Sequence, residues 1–198
     1  MEYDQDLENW YKHGYGDPSN RMVACPVVEK IVDTFDAVIA GQPSTKGTFY
    51  FSHSSAVMPL ITSLGLFKDN FTLTAYSFGS QEAESRKYFS SKVTPFAGNV
   101  GFALQRCQNN VGYRVAMFHN EVLTPLPLCP GHCSWRRFKD AYSDLVKCPS
   151  NEICNSSPST ISAEYTGLLL TLLLLTFINS FYVRVHQPKG GKNFILLY

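Results

Sequence analysis

Residues 48–60 read TFYFSHSSAVMPL, and this stretch decides the predicted fold class. Its first part, residues 48–52, is rich in aromatic and β-prone side chains, which predicts a short buried strand. Ser54 and Ser55 can then cap a helix that continues to Gly65, where glycine favours termination. A strand that leads directly into a helix is typical of domains that contain both elements.

The surrounding sequence predicts further helices and strands. Apolar residues at helical spacing predict a helix over 24–40, which ends at Gly41. Residues 99–106 and 113–118 read as two strands of an antiparallel hairpin. A last amphipathic helix is predicted over 134–146. Its inward-facing residues are expected to be Trp135, Phe138, Tyr142 and Leu145. The order of these elements indicates an α/β or α+β fold.

Composition sets wide limits on function. The chain has 198 residues, 44% of them hydrophobic, and its 17 basic and 16 acidic side chains give a net charge of +1. This composition excludes a disordered class and allows one domain with its own core. The sequence contains no stripe of basic residues, so nothing in it indicates nucleic-acid binding. A small anionic ligand is compatible with the net charge.

The chain has six cysteines and no CxxC pair, which argues against zinc ribbons and thioredoxin-like sites. Cys129 and Cys133 bracket a tight turn suited to a local disulfide. Reading them as metal ligands together with His132 leaves a fourth ligand missing, so no metal site is predicted. Cys148 and Cys154 are expected to form a similar local pair. Cys25 and Cys107 complete the disulfide candidates.

Two glycosylation sequons, at Asn70 and Asn155, agree with the cysteines in indicating an oxidising, secretory compartment. The first residues, MEYDQD, are acidic and do not resemble a signal peptide. We therefore expect the sequence to be incomplete at its N-terminus.

Residues 167–183 contain no charge, which predicts a short transmembrane helix. The predicted organisation is a body at 1–154, a stalk at 155–166, this helix, and a basic cytoplasmic tail at 184–198. The basic residues after the helix place the body in the lumen of the secretory pathway, in the endoplasmic reticulum or at the cell surface. A buried core helix and a glycolipid-anchor signal are the alternatives.

His53 is the main candidate for a functional residue. It lies where the predicted strand meets the predicted helix, and ligands of open α/β sheets bind beyond the carboxyl ends of strands. Free backbone N–H groups and the helix dipole favour an anion at the same place. The alternative is a structural histidine that caps the helix.

Residues 48–60 resemble the sequence around the second catalytic histidine of histidine acid phosphatases, and most closely that of the multiple inositol polyphosphate phosphatases. The resemblance covers roughly residues 7–154. Other stretches that carry it are Gly65-Leu66-Phe67-Lys68-Asp69, Leu73-Thr74-Ala75-Tyr76, Pro95-Phe96-Ala97-Gly98-Asn99, Tyr113-Arg114-Val115 and Asn120-Glu121. It implies that residues 1–154 are the distal portion of a histidine-phosphatase, phosphoglycerate-mutase-like, α/β domain.

The resemblance also implies a reaction. In this family a histidine of an Arg-His-Gly motif attacks phosphorus and becomes phosphorylated, and water then releases phosphate without any cofactor. By position, His53 is implied to contact the phosphoryl oxygens of an inositol polyphosphate or another small phosphomonoester.

Two departures from the family pattern affect this implied role. No Arg-His-Gly motif occurs in the sequence, and the Lys12-His13-Gly14 stretch matches a different part of the family, so His13 is given no catalytic role. The family's proton-donating carboxylate falls at Ser55, whose hydroxyl is a poor acid. The hypotheses are therefore a phosphatase whose nucleophile half lies outside this chain, a membrane-tethered pseudo-phosphatase, or a structural ectodomain.

Overall fold

The computed structural model describes residues 2–43, 45–107, 112–148 and, for the backbone, 193–197. The helices are α1 (Glu2–Lys12), α2 (Asn20–Val23), α3 (Cys25–Ile39), α4 (Ser54–Ser63), α5 (Gln81–Glu84), α6 (Ser90–Val93), α7 (Trp135–Ala141) and α8 (Ser143–Val146), with a 3-10 turn at Ala75–Ser77. The strands are β1 (Gly47–Tyr50), β2 (Val100–Arg106), β3 (Tyr113–His119), β4 (Val122–Leu123) and β5 (Asn193–Leu197).

The strands form one mixed sheet in the order β1-β5-β2-β3-β4. β1 and β5 are parallel, whereas β2 pairs antiparallel with both β5 and β3. In the β2–β3 hairpin Val100 lies opposite His119 and Arg106 lies opposite Tyr113. This hairpin confirms the one predicted from the sequence.

The two long helices also agree with prediction. α3 spans Cys25–Ile39 within the predicted range 24–40. α4 begins at Ser54 and its C-cap is Leu64, directly before Gly65. Gly41 and Gly65 have φ angles of 72° and 79°, a backbone conformation that favours glycine after a helix.

Two predicted elements need correction. β1 is half-buried rather than buried, because among the described strands it lies at the edge of the sheet and has a neighbour on one side only. The predicted helix over 134–146 is divided into α7 and α8 at Tyr142, where φ is −116° and ψ is 29°. The phenol of Tyr142 donates a hydrogen bond to the carbonyl of Leu64, which ties the break to the end of α4.

The core lies between one face of the sheet and the helices. Phe102 of β2 packs edge-on against Phe138 of α7, whose ring stacks on Trp135 at 5.5 Å. Trp135 in turn meets Phe35 of α3, and its indole N–H donates to Asp36. The predicted inward positions of the last helix are therefore confirmed, since all four of those side chains are buried.

A buried ion pair joins α1 to the segment before α6. Asp6 is fully buried and accepts hydrogen bonds from the guanidinium of Arg86 and from the backbone N–H of Ser90, 2.8 Å away. Arg86 also donates to the carbonyl of Ala83. Because each charge is paired and hydrogen-bonded, this polar contact can remain in the interior.

The disulfide pattern differs from the prediction for Cys148. Cys129–Cys133 is bonded as predicted, but Cys148 pairs with Cys25 rather than with Cys154. The packing of α3 against α8 explains this, because it brings the Cα atoms of Cys25 and Cys148 to 5.3 Å. Cys107 is free, and Cys154 lies outside the described residues.

We expect the Cys25–Cys148 disulfide to contribute more stability than Cys129–Cys133. The two bonds close loops with sequence separations of 123 and 4 residues. Loop-closure entropy then predicts losses of about 5 and about 2 kcal/mol in the free energy of unfolding when each pair is replaced by alanine. Denaturant unfolding of Cys25→Ala/Cys148→Ala and Cys129→Ala/Cys133→Ala measures both, and equal losses would contradict the assignment.

Part of the predicted C-terminal tail lies within the described residues. The predicted stalk at 155–166 and helix at 167–183 lie outside the described residues, and within the described part of the chain no helix is long and apolar enough to cross a bilayer. Residues 193–197 form β5 between β1 and β2.

Candidate functional site

The register of the sheet brings three connections to one edge. Tyr50 lies beside Leu197, Leu197 beside Val100, and Val100 beside His119. The residues after β1, before β2 and after β3 therefore meet at the same edge, which we call the ligand edge (residues 51–55, 95–99 and 119–122). Since neighbouring strands lie ~4.8 Å apart, the ends of β1 and β2 are roughly 10 Å from each other.

His53 occupies the junction between β1 and α4 that the sequence predicts. It is the N-cap residue of α4, with an extended backbone (φ −95°, ψ 164°) and an exposed side chain. Its carbonyl accepts the N–H of Ala56 at 2.9 Å, which starts the helix. Its imidazole makes no capping hydrogen bond, so the alternative reading as a side-chain cap is not supported.

Ser54 and Ser55 are not caps, contrary to prediction. They are the first two residues of α4, because the chain turns into the helix one residue earlier than expected. In the part of the chain that the structure describes, their backbone N–H groups have no hydrogen-bond partner, and both side chains are exposed. Two free N–H groups at the start of a ten-residue helix favour an anion.

Asn99 and Asn120 hold the ligand edge together, a role that the sequence did not predict. The backbone N–H of Asn99 donates to Oδ1 of Asn120 at 2.9 Å, and the carbonyl of Asn99 accepts the backbone N–H of Asn120 at 2.9 Å. Asn120 and Glu121 have positive φ angles of 48° and 68°, as a two-residue hairpin turn requires. The sequence contained the information for this contact. In a hairpin, the residue before the first strand and the residue after the second strand must lie side by side.

The buried side chain of His119 stabilises the ligand edge. It is buried, its Nε2 lies 2.7 Å from the carbonyl oxygen of Val93, and its ring meets Phe67 edge-on. A carbonyl acceptor at this distance requires a proton on Nε2. His119 therefore connects β3 to the segment before β2 and has a structural role.

The remaining candidates lie away from His53. The backbone carbonyl of His13 accepts a hydrogen bond from the hydroxyl of Thr62, which agrees with a structural role for His13. His132 is exposed with Nδ1 3.4 Å from the guanidinium of Arg114, and among the described residues no group of histidine, cysteine and acidic side chains could hold a metal. Asn70 is exposed, whereas Asn155 lies outside the described residues.

Two cavities are present elsewhere in the molecule. One, of about 440 Å³, lies between β3 and residues 123–133, and the other, of about 410 Å³, is lined by Tyr15, Arg21 and Lys68 among others. Neither includes His53.

Comparison with known proteins assigns the chain to a family. The family model described as the histidine phosphatase superfamily, branch 2, matches residues 1–120, which include the β1–α4 junction and the whole β2–β3 hairpin. The chain belongs to this superfamily. The resemblance seen in residues 48–60 is therefore confirmed at the level of the family, and the mixed helix and strand content agrees with its fold.

The chain is similar to multiple inositol polyphosphate phosphatases. It is 32% identical over 175 residues to the human multiple inositol polyphosphate phosphatase 1, a match that covers 83% of this chain and 36% of the human protein. The corresponding protein of Drosophila melanogaster is 28% identical over 177 residues, covering 87% of this chain and 37% of the relative. The chain therefore spans little more than a third of the length of these two relatives.

A solved structure shows the same fold. A multiple inositol polyphosphate phosphatase of Bifidobacterium longum, crystallised in complex with inositol hexasulfate, superposes with a TM-score of 0.51 and 25% sequence identity. The match covers 63% of this chain and 25% of the bacterial protein.

Proposed function

We propose that this chain supplies the phosphate-holding edge of an inositol polyphosphate phosphatase site, with His53 as the phosphoryl contact. The observation that carries the proposal is the exposed imidazole of His53 directly before α4, with no cap bond. Membership of the histidine phosphatase superfamily supports a phosphate ester as ligand. Similarity to multiple inositol polyphosphate phosphatases supports inositol polyphosphates as its class.

The roles proposed for His53, Ser54 and Ser55 follow from their positions. His53 donates a hydrogen bond to a phosphoryl oxygen, and the N–H groups of Ser54 and Ser55 face the same anion from the start of α4. Donors that are fixed before the ligand arrives stabilise the charge that gathers on the phosphoryl group. The phosphorylated histidine of the family's reaction comes from an Arg-His-Gly motif, which these 198 residues lack.

We therefore expect the purified chain to bind inositol hexakisphosphate but to release no phosphate from it. Binding needs the donors of the ligand edge, whereas turnover needs a nucleophile. Phosphate release by the full chain, followed with and without His13→Ala, provides the measurement. Release that His13→Ala abolishes would contradict the proposal, because it would make the Lys12-His13-Gly14 stretch catalytic.

A second candidate is a binding module without turnover. It is favoured by one observation, the serine at position 55, where the family has its proton-donating carboxylate. In this alternative His53 still binds the phosphate ester, and a complete protein carrying an Arg-His-Gly motif would bind substrate but turn it over poorly.

We also propose that the body lies in an oxidising compartment, in the secretory lumen or outside the cell. Two disulfides and the exposed sequon at Asn70 support this location. Expression behind an added signal peptide, followed by endoglycosidase digestion, tests it. We expect digestion to lower the apparent mass of the wild type and to leave Asn70→Gln/Asn155→Gln unchanged.

A further inference from the structure

The cavity of about 440 Å³ lies beside β3, and its lining contains no residue of the ligand edge. The chain pairs with β3 at Thr124, whose backbone N–H donates to the carbonyl of Met117 at 2.9 Å. It pairs again at Cys133, whose carbonyl accepts the N–H of Val115 at 2.9 Å. Between these two bonds the chain leaves β3 as a loop of residues 125–132, which we call the cavity loop. The cavity lies between this loop and the strand.

The cavity loop is held in shape by bonds of its own. The Cys129–Cys133 disulfide ties the loop to the point where the chain returns to β3, and both cysteines line the cavity. The backbone N–H of Cys129 donates to the carbonyl of Leu126 at 3.0 Å, and Leu126 is buried. This wall of the cavity therefore exists before any ligand arrives, as is usual for small-molecule sites.

Apolar side chains form one part of the lining. Met117 and Leu126 are buried, Phe118 is half-buried, and Leu123 is 63% exposed. A ligand with an apolar body would remove the surface of Leu123 from water, and burial of apolar surface is favourable.

Arg114 gives the cavity a charged end. Its Nε donates to Oε1 of Gln105, its neighbour in register on β2, at 2.8 Å. Its Nη1 lies 3.4 Å from Nδ1 of His132, and because a guanidinium has no acceptor, Nδ1 accepts this bond. Two of the five N–H groups are thus used. Among the described residues the other three have no partner, and no carboxylate pairs with Arg114.

We propose that this cavity binds a small monocarboxylic acid with an apolar chain or ring. The carboxylate accepts two parallel hydrogen bonds from the free N–H groups of Arg114, and the apolar body packs against Phe118 and Leu123. One cation matches one carboxylate, whereas a phosphate ester brings nearly two negative charges. Binding here involves no residue of the ligand edge and is therefore independent of whether His53 binds phosphate.

Titration of the ¹⁵N-labelled full chain with octanoate and with octan-1-ol tests the charged end. We expect octanoate to bind about tenfold more tightly, the lower end of what a hydrogen bond to a charged group contributes, because Arg114 is exposed. Arg114→Gln should abolish this difference. Arg137→Gln should retain it, since Arg137 is an exposed arginine that does not line the cavity.

The backbone amide shifts also locate the ligand. We expect the largest shifts at residues 114–118 and 123–133. Equal affinities for octanoate and octan-1-ol, an octanoate affinity that Arg114→Gln leaves unchanged, or the absence of shifts in these residues would each overturn the proposal.

A second pair of variants tests the apolar body. Val122 and Leu123 are neighbours in β4 with similar exposure, 67% and 63%, but only Leu123 lines the cavity. We expect Leu123→Thr to weaken octanoate binding about fivefold and Val122→Thr to leave it unchanged. Equal weakening by both would overturn the proposal.

A last comparison separates this cavity from the ligand edge. We expect His53→Ala to leave the octanoate affinity unchanged, and saturating inositol hexakisphosphate not to displace octanoate. Loss of octanoate binding in either case would place octanoate at the ligand edge and overturn the proposal. Failure of His53 to bind phosphate would leave the octanoate affinity unaltered, so the two proposals fail in different measurements.

Discussion

Replacing Ser55 by glutamate is expected to raise phosphate release from inositol hexakisphosphate by about 10²–10⁴-fold, the range typical of general acid catalysis. The expectation applies to a fusion in which this chain is completed by the Arg-His-Gly-containing part of a family member. Ser55 is exposed in the first turn of α4, two residues after His53. A carboxylate there would face the leaving oxygen of a phosphate ester held by His53.

The matched control is Ser54→Glu in the same fusion. It adds the same charge to the same helix end but in a different direction, since successive helical residues differ by about 100° around the axis. We expect it to leave turnover low. Initial rates measure overall turnover, and trapping of the phosphoenzyme measures the attack on phosphorus. The two measurements together show which step a substitution changes. If phosphoenzyme forms and Ser55→Glu leaves turnover unchanged, another acid protonates the leaving group, and the assignment of position 55 is wrong.

Replacing His53 by alanine is expected to weaken binding of inositol hexakisphosphate by about 10- to 100-fold. A hydrogen bond to a charged group contributes about 1.5–3 kcal/mol, and each 1.4 kcal/mol is a factor of ten in affinity. The imidazole of His53 is exposed and makes no cap bond, and alanine retains the backbone carbonyl that starts α4, so the substitution should leave the free energy of unfolding nearly unchanged. Calorimetric titration of the full chain measures the affinity, and chemical denaturation measures the stability.

His13→Ala is the control for this second experiment. His13 is half-exposed, and only its backbone carbonyl, which alanine retains, bonds to Thr62. Loss of the His13 imidazole should therefore leave both the affinity and the stability near those of the wild type. If His13→Ala weakens binding as much as His53→Ala does, the loss does not reflect a specific contact of His53 at the ligand edge.

Local patterns in the sequence predicted the elements that carry the site. The aromatic run before His53 and the apolar residues after it are enough to predict β1 and α4, because aromatic residues favour a strand and an apolar segment that ends at glycine favours a helix. The hairpin follows from two β-prone runs around a polar turn. The position of His53 at a strand-to-helix junction could therefore be predicted without structural information.

Long-range contacts were beyond prediction. The Cys25–Cys148 disulfide joins residues 123 positions apart, and no spacing rule distinguishes it from a local Cys148–Cys154 bond. Residues 193–197 follow an apolar run, which favoured a membrane tail over a strand. Their pairing with β1 and β2 depends on a gap in the sheet that is visible only once the strand order is known. The capping error at Ser54 was smaller, a shift of one residue.

The central claim is that the ligand edge, and His53 in particular, holds the phosphate ester. Titration of the ¹⁵N-labelled full chain with inositol hexakisphosphate, followed by backbone amide shifts, tests it most directly. We predict that the largest shifts fall on residues 52–56, with smaller ones at Asn99 and Asn120 across the same edge. Shifts confined to the cavity of Tyr15, Arg21 and Lys68, with residues 52–56 unchanged, would contradict the claim.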